Sequence, residues 1–333
     1  MTLMNRRLLA AALILAPLQA HALGEGEFVN GMTLDALTAI TAQIRQVIKE
    51  PQNQQQIPLV IPVVDFGNKR AARYRYRRKD EIFSLDGAKR PVPVGWEMSE
   101  VLETSGGQVE RLIAVEPAGG GEGNKDYQAE KRKVGAEPAR LAKLLSDADE
   151  RAKLQKKQKS DEDALVKMVN EFPRALQYKF EGIERDAEGV EIARESFTSN
   201  DCSHTPHVDP CFTPKSQEAR IFEGMKGMIW VRVRDKHLVR FETVIDHDVK
   251  FGWGIFSAKA KKGGSIAITL TDIDGSGKRW IISALEDHIT ITKSAMASLF
   301  SGGDERDNDN QRMSGFQQVA DMSFDQGVEL LRR

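Results

Sequence analysis

Apolar and polar positions alternate most regularly between Ala219 and Phe256, in ARIFEGMKGMIWVRVRDKHLVRFETVIDHDVKFGWGIF. Successive side chains of a strand point to opposite faces, so Ile229, Val231 and Val233 fall on a dry side and Trp230, Arg232 and Arg234 on a wet one. The alternation breaks at Asp235-Lys236-His237. It then resumes with Val239, Phe241, Thr243 and Ile245 opposed to Leu238, Arg240, Glu242 and Val244, which predicts an antiparallel hairpin. Asp246-His247-Asp248 leads into a second apolar run, Val249 to Phe256, where Gly252 and Gly254 flank Trp253 and mark a bend in the sheet.

Around this hairpin the same pattern predicts further strands: LQYKFEGIE and VEIARESF about a turn at Asp186 to Gly189, then SIAITLTDI, RWIISALED and HITITK. The second half therefore reads as a meander of about eight strands with short turns, and a sheet that long must curl or close. Upstream, Arg73, Arg75 and Arg77 alternate with Tyr74 and Tyr76 in an exposed strand, Asp86-Gly87 supplies a turn, and Val109 to Val115 is another strand.

Helical periodicity appears in three places. Thr33 to Lys49 carries Leu34, Leu37, Ile40, Ile44, Val47 and Ile48 on one face, with Thr33 as cap and Pro51 as stop. A prolyl, polar stretch from Pro51 to Val64 follows it. Lys125 to Phe172 reads as two helices with a solvated middle, after a glycine-rich loop from Pro117 to Asn124 that lacks the Gly-Lys-Ser/Thr ending of a phosphate cradle. Phe324 to Leu331 is a short amphipathic helix capped by Ser323, reached through a polar link, Ser301 to Arg312.

The N-terminus changes the picture of where the protein works. Arg6-Arg7, an apolar core from Leu8 to Leu18, and Ala20-His21-Ala22 form the three parts of a secretory signal peptide cut after Ala22. Its apolar core is too short for a spanning helix, no later segment reaches that length, and no cysteine follows for lipid attachment. Cleavage removes two arginines and no acids, taking the formal charge from −1 to −3, which gives no general attraction to nucleic acid. Residues 125 to 159 stand apart with a net charge of +5, the signature of a wet helix face.

Export to an oxidising compartment makes Cys202 and Cys211, in NDCSHTPHVDPCF, a local disulfide. Asp201, His204, His207 and Asp209 cluster around them without a recognised ligand spacing, and Pro206 and Pro210 stiffen the loop. The segment reads as structural, and no metal site is assigned. Asp246-His247-Asp248 reads as a strand-end turn before a general base. G-x-S-x-G, H-E-x-x-H and G-x-G-x-x-G are all absent, and neither enzyme chemistry nor a cofactor is expected.

With its leader, the helix after it, the meander interrupted by a helical hairpin, and above all ARIFEGMKGMIWVRVRDKHLVRFE followed by DVKFGWGIF, the chain resembles an uncharacterised family of exported bacterial proteins. That family is related in architecture to the outer-membrane lipoprotein-sorting (LolA/LolB-like) carriers. The motif match spans about Phe212 to Trp280. The resemblance implies an α+β fold in which a strongly curved antiparallel sheet, an incomplete β-barrel, wraps around helices and leaves apolar space for acyl chains. The expected organisation is a signal peptide at 1–22, a single domain over 23–300 with a charged helical insertion at about 125–172, and a linker with a short helix over 301–333. The longer chain, the insertion and the tail are departures from the classical carriers.

The expected function is that of a periplasmic or secreted, non-enzymatic carrier for a lipid or lipoprotein acyl chain. Its lining would be Trp230, Phe241, Ile245, Phe251, Trp253, Ile255, Ile268 and Trp280. The alternative is an envelope structural or regulatory module whose cavity is plugged and whose charged helices contact another protein; a hydrolase or metalloprotein is the third reading.

Overall fold

The computed structural model describes residues 73–87, 91–119, 121–200, 212–214, 218–251, 258–273, 275, 280–293 and 305–333. The leader, the Thr33 to Lys49 helix, the Cys202/Cys211 loop with His204 and His207, and the Trp253/Ile255 bend lie outside them. In chain order the elements are β1 (Arg73–Leu85), β2 (Pro91–Thr104), β3 (Gly107–Pro117), α1 (Lys125–Ser146), α2 (Ala148–Ala175), β4 (Leu176–Arg185), β5 (Glu191–Ser199), β6 (Met225–Arg232), β7 (Leu238–Ile245), β8 (Val249–Phe251), β9 (Ala258–Ala260), β10 (Ser265–Asp272), β11 (Trp280–Lys293), β12 (Glu305–Val319) and α3 (Phe324–Arg332). The architecture is α+β and mostly antiparallel sheet. Its strand order begins at β3 and ends at β4, so the sheet is not closed.

The described residues fall into two compact units. One holds those within 73–163, 283–286 and 308–333, and the other those within 164–282 and 287–307. The first, the helix-bearing unit, has the order β3-β2-β1-β12. Its apolar core is built from Leu102 and Val109 of the sheet, Leu141 and Leu144 of α1, and Phe324, Val328 and Leu331 of α3. α3 starts where the sequence places it: the Ser323 hydroxyl accepts the Gln326 N–H at 3.2 Å while the Gln326 side chain accepts the Ser323 N–H at 2.8 Å.

Edge strand β3 is covered by side chains from both long helices. The Gln108 N–H donates to Gln158 Oε1 (3.2 Å) and Gln158 Nε2 donates back to the Gln108 carbonyl (2.8 Å). The Leu112 N–H donates to Glu137 Oε1 (3.0 Å), and Arg140 donates to the Glu110 carbonyl. These are alternate backbone groups that an edge strand turns outward, so part of this edge, between Gln108 and Leu112, is satisfied within the chain.

The meander unit has the order β11-β10-β7-β6-β5-β4, with β8 paired to β9 and β9 to β11. Ile229 and Val231 of β6 are fully buried. Phe241 lies between Ile229 and Ile268, its partners on β6 and β10. Gly227 sits opposite Phe197 on β5, and a Cβ there would come within 2.8 Å of the Phe197 ring, so the ring needs the missing side chain.

Four sequence expectations change. The pairing shifts from Trp230↔Arg240 to Val231↔Leu238, leaving Val239 as an extra residue; this bulge turns Leu238, not Val239, toward the buried face. RWIISALED and HITITK are one 14-residue strand, β11. The polar link expected over Ser301 to Arg312 is strand from Glu305 onward: β12 starts there and pairs with β1 over Arg73 to Asp80. β2, with Pro91 and Pro93 at its start, has no counterpart in the sequence reading.

Candidate functional site

Six of the eight expected lining residues are described. Phe241, Ile245, Ile268, Trp280 and Phe251 are between 1% and 8% exposed. Phe241 and Ile268 are direct cross-strand partners, and Ile245 lies four residues along β7 on the same side. The Phe241 ring stacks on Phe197 with centroids 5.3 Å apart. Glu195, opposite Ile229, is buried on this face, and the neighbouring Tyr178 hydroxyl is pushed well above its ordinary range by burial and by the Glu195 charge.

Trp230 does not join this group. It is one residue from Ile229 and therefore on the opposite face, where the Arg240 guanidinium lies 5.2 Å from its ring. Trp280 belongs to a charged cluster at the β6–β7 turn. Arg232 lies over its ring at 4.4 Å and His237 stacks on it at 5.3 Å, while Arg232 also pairs with Asp235 and, at 3.7 Å, with Asp272. The turn is tight enough to hold Lys236 at φ 62°, and the cluster anchors it.

The Asp246-His247-Asp248 triplet is a strand-end anchor. Asp246 pairs with Lys226 at 2.6 Å; Asp248 pairs with Lys261 and accepts the Lys262 N–H at 3.0 Å. Hydrogen bonds from Lys226 and Lys261 hold both carboxyls below the usual carboxylate range, the wrong direction for a general base at neutral pH.

A second constellation, which the sequence did not reveal, lies in the helix-bearing unit. Register places Asp80 of β1 opposite Glu97 of β2, and Arg78 opposite Ser99, all on one face by the two-residue period. Glu110 of β3 pairs with Val101 and shares that face. Arg78 holds two of these carboxylates: Nε donates to Asp80 Oδ2 at 2.8 Å and Nη2 to Glu110 Oε1 at 2.6 Å. Burial opposes its charge, but Glu110 and Asp80 outweigh burial and raise it well above its ordinary value. From α1, Tyr127 is seated on Gly95, where a Cβ would meet its ring at 2.9 Å, and Glu130 hydrogen-bonds Glu97. Burial, then the charges of Asp80, Glu130 and Glu110, push the Glu97 carboxyl up to about 7.

One oxygen each from Asp80, Glu97 and Glu110 lie within 4.8 Å of one another, making these the residues able to hold a metal among those described. No spacing motif links positions 80, 97 and 110, because they meet only through strand register. No protein-family model, curated protein or solved structure matches the chain.

Proposed function

We propose that this chain is a non-enzymatic envelope protein acting as an interaction module, with the apolar face of its meander filled by its own side chains. The supporting observation is the burial of Phe241, Ile245 and Ile268, each at most 4% exposed. A side chain bordering a space wide enough for an acyl chain keeps surface that a water-sized sphere can reach, even when the space is sealed from bulk solvent. These residues instead touch protein on nearly every side, as close-packed interiors do. The envelope location rests on the leader-like Met1 to Ala22, and the reading requires no cofactor.

The partner surface in this reading is the wet side of α1 and α2. Lys131, Arg132, Lys133, Lys153, Lys156 and Lys157 are all exposed there, a charge pattern complementary to an acidic protein. The rival reading, a LolA-like half-barrel carrying a lipid or lipoprotein acyl chain, draws its support from the motif resemblance across Phe212 to Trp280. Native mass spectrometry with solvent extraction of the full chain recovered from the periplasm separates the two. The interaction module gives the mass of the polypeptide alone and no acyl lipid in the extract. One lipid per chain overturns it in favour of the carrier.

A further inference from the structure

The strongest unassigned feature is the carboxylate face of β1, β2 and β3, and we propose that Asp80, Glu97 and Glu110 form a binding site for a hard divalent cation, with Ser99 as a fourth oxygen donor. The donors are oxygens only, without His or Cys, which selects Ca²⁺, Mg²⁺ or Mn²⁺ over softer metals. Their mutual spacing, within 4.8 Å, matches oxygens around one ion at about 2.0–2.6 Å.

Two further observations point to a ligand. Ser99 is fully buried at the pairing level of Arg78, its side chain directed to the carboxylate face, and its Oγ has no hydrogen-bond partner among the described residues. A buried hydroxyl without a partner is costly, and a cation above it would use its lone pairs. The carboxylates also crowd together: Glu97 is paired opposite Asp80 with Glu110 on the same face, where Arg78 pairs with Asp80 and Glu110, Arg140 also acts on Glu110, and a cation bridging the three would relieve their mutual repulsion.

The parts then have distinct roles. Arg78 is a positioning residue, fixing one oxygen each of Asp80 and Glu110. Glu97, paired opposite Asp80, supplies the carboxylate of the middle strand. The neutral groups around the cluster, Tyr127 of α1 and Met313 of β12, do not compete for the ion.

The test is calorimetric titration of the full chain with calcium, magnesium and manganese chlorides at about pH 8. The expected result is one ion per chain with a dissociation constant of about 1 mM or below for at least one metal. Glu97→Gln, which keeps an amide for Glu130, should lose about tenfold or more in affinity, and Ser99→Ala, which leaves the fold intact, a few-fold. No binding of any of the three metals at about 10 mM and pH 8 overturns the proposal, since that exceeds the weakest physiological sites about tenfold. Binding unaffected by both substitutions overturns it equally, because the ions then sit elsewhere on the acidic surface.

Discussion

The two units set opposite chemistries on the same kind of scaffold, one buried and the other half-buried. In the meander unit, β6, β7 and β10 present Ile229, Phe241 and Ile268 side by side; in the helix-bearing unit, β1, β2 and β3 present Arg78, Asp80, Ser99, Glu97 and Glu110. Each face seats an aromatic ring on a glycine, Phe197 on Gly227 and Tyr127 on Gly95. The ladder therefore does not dictate what a face does. An apolar face gains from every contact and resists any loss of volume, whereas a charged one must be neutralised and so responds to protons and ions.

The largest effect should come from the apolar side. Phe241→Ala removes a ring that is 2% exposed and stacked on Phe197, between two buried isoleucines. With the face close-packed, the loss should be about 3–5 kcal/mol, measured by urea denaturation, because a cavity term adds to the transfer term. If the ring bordered open space instead, no new cavity would form and the cost would fall toward about 2 kcal/mol. That outcome would also revive the carrier reading.

Glu97 gives the matching measurement on the charged side. Its carboxyl titrates at about 7 in the folded chain against an ordinary 4.5. Between those values the folded chain holds a proton that the unfolded chain has lost. Stability is thus fully present below about pH 4.5, falls as pH rises toward 7, and is level above. The expected fall is up to about 3 kcal/mol, shared among coupled carboxyls. Glu97→Gln should abolish this component of the pH dependence, and a cation that binds the site should restore stability at high pH. A wild-type chain whose stability is flat from about pH 5 to 8 would mean that the cluster is solvated and that the contrast between the units fails.

Much of the fold was legible because it is carried by local pattern. The hairpins of β4–β5 and β6–β7, the long helices and the Ser323 cap each declare themselves within a few residues. The rest depends on context. β12 carries charged, amide and hydroxyl side chains on both faces, and Met313 is its one buried residue among those described, so no alternation marks it. β2 begins with two prolines, a signal ordinarily read as loop. The expected lining sets Trp230 beside Phe241, although its parity with Ile229 assigns it to the other face. The carboxylate cluster was beyond reach: Asp80, Glu97, Glu110 and Glu130 come from three strands and a helix, and a slip of one residue in any pairing would disperse them.

The smallest effect tests that parity directly. Trp230 and Phe241 are aromatic residues on neighbouring paired strands, one on each face of the same ladder. Trp230 is half-buried, between Arg194 on β5 and Arg240 on β7, and the Arg240 guanidinium at 5.2 Å is 53% exposed. A cation held this loosely over an indole, with Glu242 also engaging it, is worth about 0.5–1 kcal/mol. Trp230→Ala should therefore cost about 1 kcal/mol, several-fold less than Phe241→Ala despite the larger side chain removed. A double-mutant cycle with Arg240→Ala should return a coupling of about 0.5 kcal/mol that weakens little with salt, since the ring carries no net charge to screen. A Trp230→Ala loss as large as that of Phe241→Ala would mean that both faces of this ladder are covered, and the wet side assigned to Trp230, Arg240 and Arg194 would have to be redrawn as a second buried layer.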